Sequence, residues 1–291
     1  MTPPRVHERP LAVGVYLAFA ALVGLAWSAP LAASIGAATG AYPRGDAELL
    51  DPGGVMLLEA LRHLRASLPA IGAAWTVLAI LALPLGMLVL AFCAALLGAP
   101  GEPRPTWALA RAVRSLPTFA TLTLVVLVAD AVLVALVMLG GGSIVRSAWP
   151  HAPARDIARW CLLAFAFLLV SAVGVLHDLA RAAAVTGPAR TYTSVAAALR
   201  TAARHPARIA WSYTWRALLG LAAAGTAAWL GMRMTLSAPG AVLATALVHQ
   251  LGLAAMGWLR LTWLAQAVHL VGPAAPPVSK EVNAPPHDPL A

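Results

Sequence analysis

The sequence predicts an all-α fold, a polytopic membrane helix bundle of about six transmembrane helices with interfacial amphipathic helices between them. Three observations predict it. Of the 291 residues, 60% are hydrophobic and only 11% are charged, where soluble domains carry about 25% charged residues. Several apolar runs reach the roughly 20 residues needed to cross a bilayer. Arg-bearing segments that end in Pro lead into several of those runs. An Ala-rich soluble bundle would account for the composition but has no need of runs that long.

The charge pattern fits the same solvent. The net charge is +9, and every basic residue but Lys280 is Arg. With abundant Ala, Gly and Pro, this Arg bias points to a GC-rich bacterial genome. The Arg residues cluster between apolar runs, so topology and anionic lipid headgroups explain them better than nucleic acid, which is not an expected partner. Cys93 and Cys161 each stand alone in an apolar run. They make neither a metal pattern nor a disulfide framework and read as buried, inert thiols.

The elements follow in order. A short basic start with Arg5 and Arg9 precedes an apolar run over 11–33. The run exceeds a signal peptide's 7–15 apolar residues, so it reads as a retained first span rather than a cleaved leader. After a loop over 36–54, Leu57, Leu61, Leu64 and Leu68 form one helical stripe, with Glu59, Arg62 and His63 off it. That segment reads as a helix on the membrane surface, ended or kinked by Pro69. A second span covers 70–97, with Pro84 inside it. The pattern recurs at 106–117, where Leu109, Val113 and Leu116 form the stripe and Pro117 closes it.

The third span runs over 118–139 and is stopped by Gly140, Gly141 and Gly142; the fourth covers 157–176. The stretch from Asp178 to Arg216 is Arg- and Ala-rich and not apolar enough to span. It reads as a linker with an interfacial helix that turns at His205-Pro206 into the fifth span, 209–232. The sixth, 240–271, is longer than a crossing needs and implies tilt. Residues 1–272 thus form a single transmembrane domain, and 273–291, Pro-rich and polar, form a disordered cytoplasmic tail. The three amphipathic segments share one plan, which marks either an internal repeat or a common need for a surface helix that turns into the membrane.

Six spans put both termini on one side. Arg5, Arg9, Arg104, Arg111, Arg114 and the five Arg of the central linker outnumber the basic residues of the opposite connections. The positive-inside rule therefore places both termini in the cytoplasm of a bacterial inner membrane.

The costly polar groups are few. Asp130 lies near the centre of the third span, where a carboxylate costs about 2.5–3.5 kcal/mol to insert. It reads either as a proton or cation site or as a packed structural Asp, with Arg260 of the sixth span as its expected partner. Arg216, beside Trp211, Tyr213 and Trp215, is expected to snorkel to the surface. His249 and Gln250 sit inside the sixth span as interhelical hydrogen-bonders or as members of a polar path. Asp178 is expected to cap the helix after the fourth span and to pair with Arg181 or Arg204. No GxxxxGK[ST], HExxH or GxSxG pattern occurs, and no catalytic, cofactor-binding or metal residue is expected.

An acidic residue and LARAA leaving a span, then an AALR helix, then RHP entering the next span make up the pattern over 178–206. It resembles a broad group of poorly characterised bacterial six-span proteins. It is similar to the membrane domain fused to some bacterial glycerophosphodiester phosphodiesterases. The resemblance implies an α-helical inner-membrane domain with surface helices between spans; the chain has no room for the phosphodiesterase domain, so that activity is not implied.

The resulting expectation is a non-enzymatic inner-membrane protein that shapes, senses or scaffolds the bilayer. Arg62, Arg65, Arg111, Arg114, Arg200 and Arg204 would contact anionic headgroups. Small-residue faces such as Gly220, Ala224 and Ala228 permit close contact with a second copy or a larger membrane complex. The alternative is a transporter or permease subunit with a polar path of Asp130, Arg260, His249 and Gln250.

Overall fold

The computed structural model describes residues 6–39, 55–99, 101, 103–148, 152–233 and 239–272. The expected loop over 40–54 and the tail over 273–291 lie outside them. Every regular element among the described residues is helical. After a 3-10 turn at Val6–Glu8 come α1 (Pro10–Thr39), α2 (Val55–Gly98) and α3 (Pro105–Ala135). A π-helical stretch, Leu136–Gly141, joins α3 to α4 (Gly142–Ala148); α5 (Ala152–Thr186), α6 (Thr191–Arg204), α7 (Pro206–Arg233) and α8 (Pro239–Val271) follow.

Four of these helices are long and apolar enough to cross a membrane, over Pro10–Ala37, Leu61–Gly98, Pro105–Val145 and Pro153–Thr186. In α7, Arg216 and its aromatic neighbours dilute the apolar run; in α8, His249, Gln250 and Arg260 do.

Three expected boundaries do not exist. Pro69 and Pro117 end nothing, because both lie inside continuous helices. Each Pro removes one N–H and frees one carbonyl, but apolar helical sequence on both sides carries the ladder on at the next turn. The surface helices expected over 55–69 and 106–117 are therefore the first turns of α2 and α3. The glycines at 140–142 do not stop the third apolar run either, since the backbone shifts to π-helical bonding and continues into α4. Gly141 has a packing role there: a Cβ would lie 2.4 Å from Leu162 Cδ1 of α5. The third Pro acts as expected. His205, before Pro206, leaves the helical region at φ −133°, ψ 46°, and separates α6 from α7.

The helices α2, α3, α5 and α8 form a ring in which each packs on the next, with α1 outside against α2 and α7 outside against α8. The core of this ring is not evenly distributed. It comprises the start of α1, the end of α2, the start of α3, the end of α5, one face of α6 and the end of α8. All of these meet at one end of the bundle. The fully buried side chains there include Leu97, Phe119, Leu179, Leu261 and Trp263. Gly98 lets α2 approach α8 and α5, because a Cβ would fall 2.7 Å from Val268 Cγ1 and 3.3 Å from Thr186 Cγ2. Away from this end the large apolar side chains face outward, as with Ile80 and Leu81 on α2, Leu124 and Val128 on α3, and Phe167 and Leu168 on α5. That distribution is inverted relative to a water-soluble bundle and suits a lipid environment.

Gly220 already has an intramolecular partner, since its open side faces Met256 and Leu259 of α8 at 3.8 and 3.9 Å from a built Cβ. Cys93 is buried and donates to the Ala12 carbonyl at 3.4 Å. Cys161 is exposed, contrary to the expected burial, because its part of α5 lies outside the packed end.

Candidate functional site

The packed end holds the polar constellation of the molecule. Asp178 lies within α5, not before a helix, and its side chain is 5% exposed. Its carboxylate accepts from both arms of Arg260: Nη1 donates to Oδ2 at 2.5 Å and Nη2 to Oδ1 at 2.6 Å. The indole Nε1 of Trp263 also donates to Oδ2, at 2.9 Å. Arg260 and Trp263 lie three residues apart on α8 and so share a face. Tyr213 of α7 packs edge-on against the Trp263 ring, 5.3 Å between centroids. Tyr16 of α1 covers Gly257, one turn before Arg260.

Arg260 is therefore not the partner of Asp130, and Asp178 neither caps a following helix nor pairs with Arg204. The planar guanidinium meets the carboxylate edge-on, a geometry that two helices at equal depth can supply. Burying two charges costs several kcal/mol per ion, which this pairing and the Trp bond offset.

Arg181, one turn beyond Asp178, reaches α3. Its Nη2 donates to Thr123 Oγ1 at 2.8 Å, its guanidinium lies 5.6 Å from the Phe119 ring centroid, and its Nε is buried without a partner. Two further arginines close helix ends. Arg111 of α3 donates from Nε to the Val185 carbonyl at 2.6 Å and from Nη2 to the Gly187 carbonyl at 2.5 Å, at the end of α5. Arg9 donates to the Ala99 carbonyl at 2.9 Å, just past the end of α2. Both guanidiniums take up carbonyls left open by a helix terminus and oppose the negative end of its dipole. Arg111, expected at the headgroups, is thus turned onto the end of α5.

The other expected residues divide in two. Asp130 is half-buried on α3, with Oδ1 buried and unbonded. His249 is exposed on α8, with Nδ1 2.8 Å from the Thr245 carbonyl, and Gln250 is exposed one residue later. The structure brings neither of them to Asp130 or Arg260 as a path. Arg216 does not snorkel freely: Nε donates to Thr262 Oγ1 at 3.0 Å, Nη1 bonds Ser212, and the guanidinium lies 4.4 Å from the Trp215 centroid.

Of the expected headgroup contacts, Arg62 and Arg65 are exposed on the first turns of α2, at the end opposite the packed one. Arg114, Arg200 and Arg204 are exposed at the packed end. The helix α6 buries Ser194, Ala198 and Thr201 and turns Tyr192 and Leu199 outward.

Two surface grooves are apolar, one between α4 and α5 beside Cys161, the other among α1, α2 and α3. Neither is lined by Asp130 or Asp178. Among the described residues no group of three His, Cys, Asp or Glu could hold a metal ion. Comparison with protein-family models, curated proteins and solved structures finds no match to this chain. Sequence reasoning missed Trp263, Thr123 and Phe119 because nothing in their local pattern marks them; only the depth of the charged groups could have pointed there.

Proposed function

We propose that this is a bacterial inner-membrane protein with six spans, α1, α2, α3, α5, α7 and α8, and both termini in the cytoplasm. Its role is non-enzymatic: the packed basic end scaffolds or senses the anionic surface of the cytoplasmic leaflet. The observation that carries this reading is the inversion of burial along the bundle. A close-packed core with arginines around it sits at one end, and large apolar side chains face outward along the rest.

The charge supports the same side. No acidic residue occurs over 179–280, and among the described residues no carboxylate pairs with Arg190, Arg200, Arg204 or Arg208. Exposed Tyr192 and Leu199 on the same helix suit the boundary between headgroups and acyl chains. Arg114, Arg200 and Arg204 would meet phosphates there at about 1 kcal/mol each. The resemblance of 178–206 to the membrane domain of some phosphodiesterases fits this role and brings no activity with it.

Single cysteines in place of Arg62 and Arg200, in a background without Cys93 and Cys161, test the topology in oriented vesicles. They are expected to label from opposite sides; labelling from one side would end the six-span reading. For the sensing role, the thermal midpoint in nanodiscs is expected to be higher with phosphatidylglycerol than with phosphatidylcholine. The difference should shrink when Arg114, Arg200 and Arg204 become Gln, and a midpoint blind to headgroup charge would remove the sensing role.

A further inference from the structure

Four buried side-chain polar atoms among the described residues lack a hydrogen-bond partner: Arg9 Nε, Asp130 Oδ1, His177 Nε2 and Arg181 Nε. Three of the four belong to one helix pair, α3 and α5. Buried polar groups in folded proteins are satisfied with few exceptions, and three orphans in one seam need a physical cause.

Their order follows from the register of the pair. Thr123 meets Arg181 near the packed end, and Gly141 meets Leu162 near the other, so the helices run antiparallel throughout. Asp130 lies seven residues after Thr123 and eleven before Gly141. The stretch from Thr123 to Asp130 is α-helical throughout and seven residues are close to two whole turns at 3.6 residues per turn, so Asp130 shares the side of α3 that meets Arg181. On α5, His177 sits one turn before Arg181. The three orphans therefore follow one another from the packed end toward mid-membrane as Arg181, His177, Asp130. At 1.5 Å per residue the axial steps are about 6 Å and about 4.5 Å, each within the reach of one or two bridging waters.

Other partners are already taken. Asp178 spends its carboxylate on Arg260 and Trp263. Arg181 Nη2 is held by Thr123. Beside His177, Gly174 leaves room, since a Cβ there would meet nothing within 4 Å. The donors and acceptors left over, a guanidinium N–H, an imidazole nitrogen and a carboxylate oxygen, are those that hold water and pass a proton.

We propose that the α3–α5 seam holds a file of water from Arg181 past His177 to Asp130, and that the protein passes protons along it. This track is independent of the lipid-facing role. It excludes Arg260, locked by Asp178, and His249 and Gln250, which lie on α8.

The test uses the full chain in phosphatidylethanolamine–phosphatidylglycerol vesicles loaded with a pH-sensitive dye, under a potassium diffusion potential set by valinomycin. Proton flux is expected above that of empty vesicles, and Asp130→Asn is expected to lower it at least tenfold. His177→Leu is expected to lower it as well, while Val128→Ala, on the outward face of α3, leaves it unchanged. Water access is read separately, without Cys93 and Cys161. Asp130→Cys and His177→Cys are expected to react with a charged methanethiosulfonate reagent, and lipid-facing Val128→Cys is not. Protection of both positions while Arg200→Cys reacts would overturn the proposal. So would flux that ignores Asp130→Asn in protein that elutes as the wild type does, or labelling with no flux above empty vesicles. If Asp130→Asn does not fold, His177→Leu and the two labelling positions decide the matter.

Discussion

Arg260 and Asp178, 82 residues apart in sequence, are joined by two hydrogen bonds of 2.5 and 2.6 Å that tie α8 to α5. The helix α7 packs mainly on α8, so this pair and the Trp263 bond are the principal polar attachment of the α7–α8 hairpin to the rest of the ring. Removing Arg260 leaves the Asp178 carboxylate buried and unpaired, whereas the Arg260 side chain is 34% exposed. Arg260→Leu is expected to cost about 3–5 kcal/mol, and Asp178→Leu less, because the guanidinium it leaves is part-exposed. The double replacement should cost less than either single change, because no lone charge remains. Denaturation of the detergent-solubilised protein, followed by tryptophan fluorescence, measures this; a double mutant as weak as the sum of the singles would sink the account.

Arg111 does a different job from Arg114, although they look alike in sequence. Arg111 bonds the Val185 and Gly187 carbonyls where α5 ends, while Arg114 is exposed. Bonds from a charged donor contribute about 1.5–3 kcal/mol. Arg111→Ala should therefore lower stability by about 2 kcal/mol, and Arg114→Ala should stay within about 0.5 kcal/mol, as surface changes do. Arg111→Lys is expected to fall between, because an ammonium lacks the fork that meets two carbonyls at once. Equal thermal midpoints for the two alanine variants would remove the distinction.

The apolar runs and the break at His205-Pro206 were legible because they are local: periodicity and one X-Pro step decide them. Pro69, Pro117 and the three glycines misled because a single breaker is outweighed by helical sequence on both sides. The partner of Arg260 was legible in principle. Asp178 lies eight residues before the end of α5 at Thr186, and Arg260 eleven before the end of α8 at Val271. Asp130 lies twenty-five residues after α3 begins at Pro105. The ends of α5 and α8 meet at the packed face, so depth matches Arg260 to Asp178; α3 begins well past the end of α5, which Thr118 meets at Ala189, so the count from Pro105 does not measure the depth of Asp130. What could not be read is which side of α3 or α5 faces which neighbour. Thr123 and Phe119 become partners of Arg181 through that choice, and it is fixed by packing across the whole ring.

The α7–α8 contact supplies a test of close packing that involves no charge. A Cβ on Gly252 of α8 would lie 2.9 Å from Ala227 Cβ and 3.6 Å from the Ala223 carbonyl of α7. Neither neighbour is the end of a flexible side chain, so Gly252→Ala must push the helices apart, at about 1–3 kcal/mol. On α7 itself a Cβ on Gly225 would meet nothing within 4 Å. Gly225→Ala is expected to stabilise by about 0.5–1 kcal/mol, through the lower backbone entropy of alanine in the unfolded chain. The two substitutions add the same methyl group to facing helices, so their opposite signs isolate the interhelical distance as the cause. Thermal midpoints of the two variants in one detergent decide it: a fall at Gly252 with no fall at Gly225 is the expected result, and a tolerated Gly252→Ala would mean that α7 and α8 stand further apart than these contacts require.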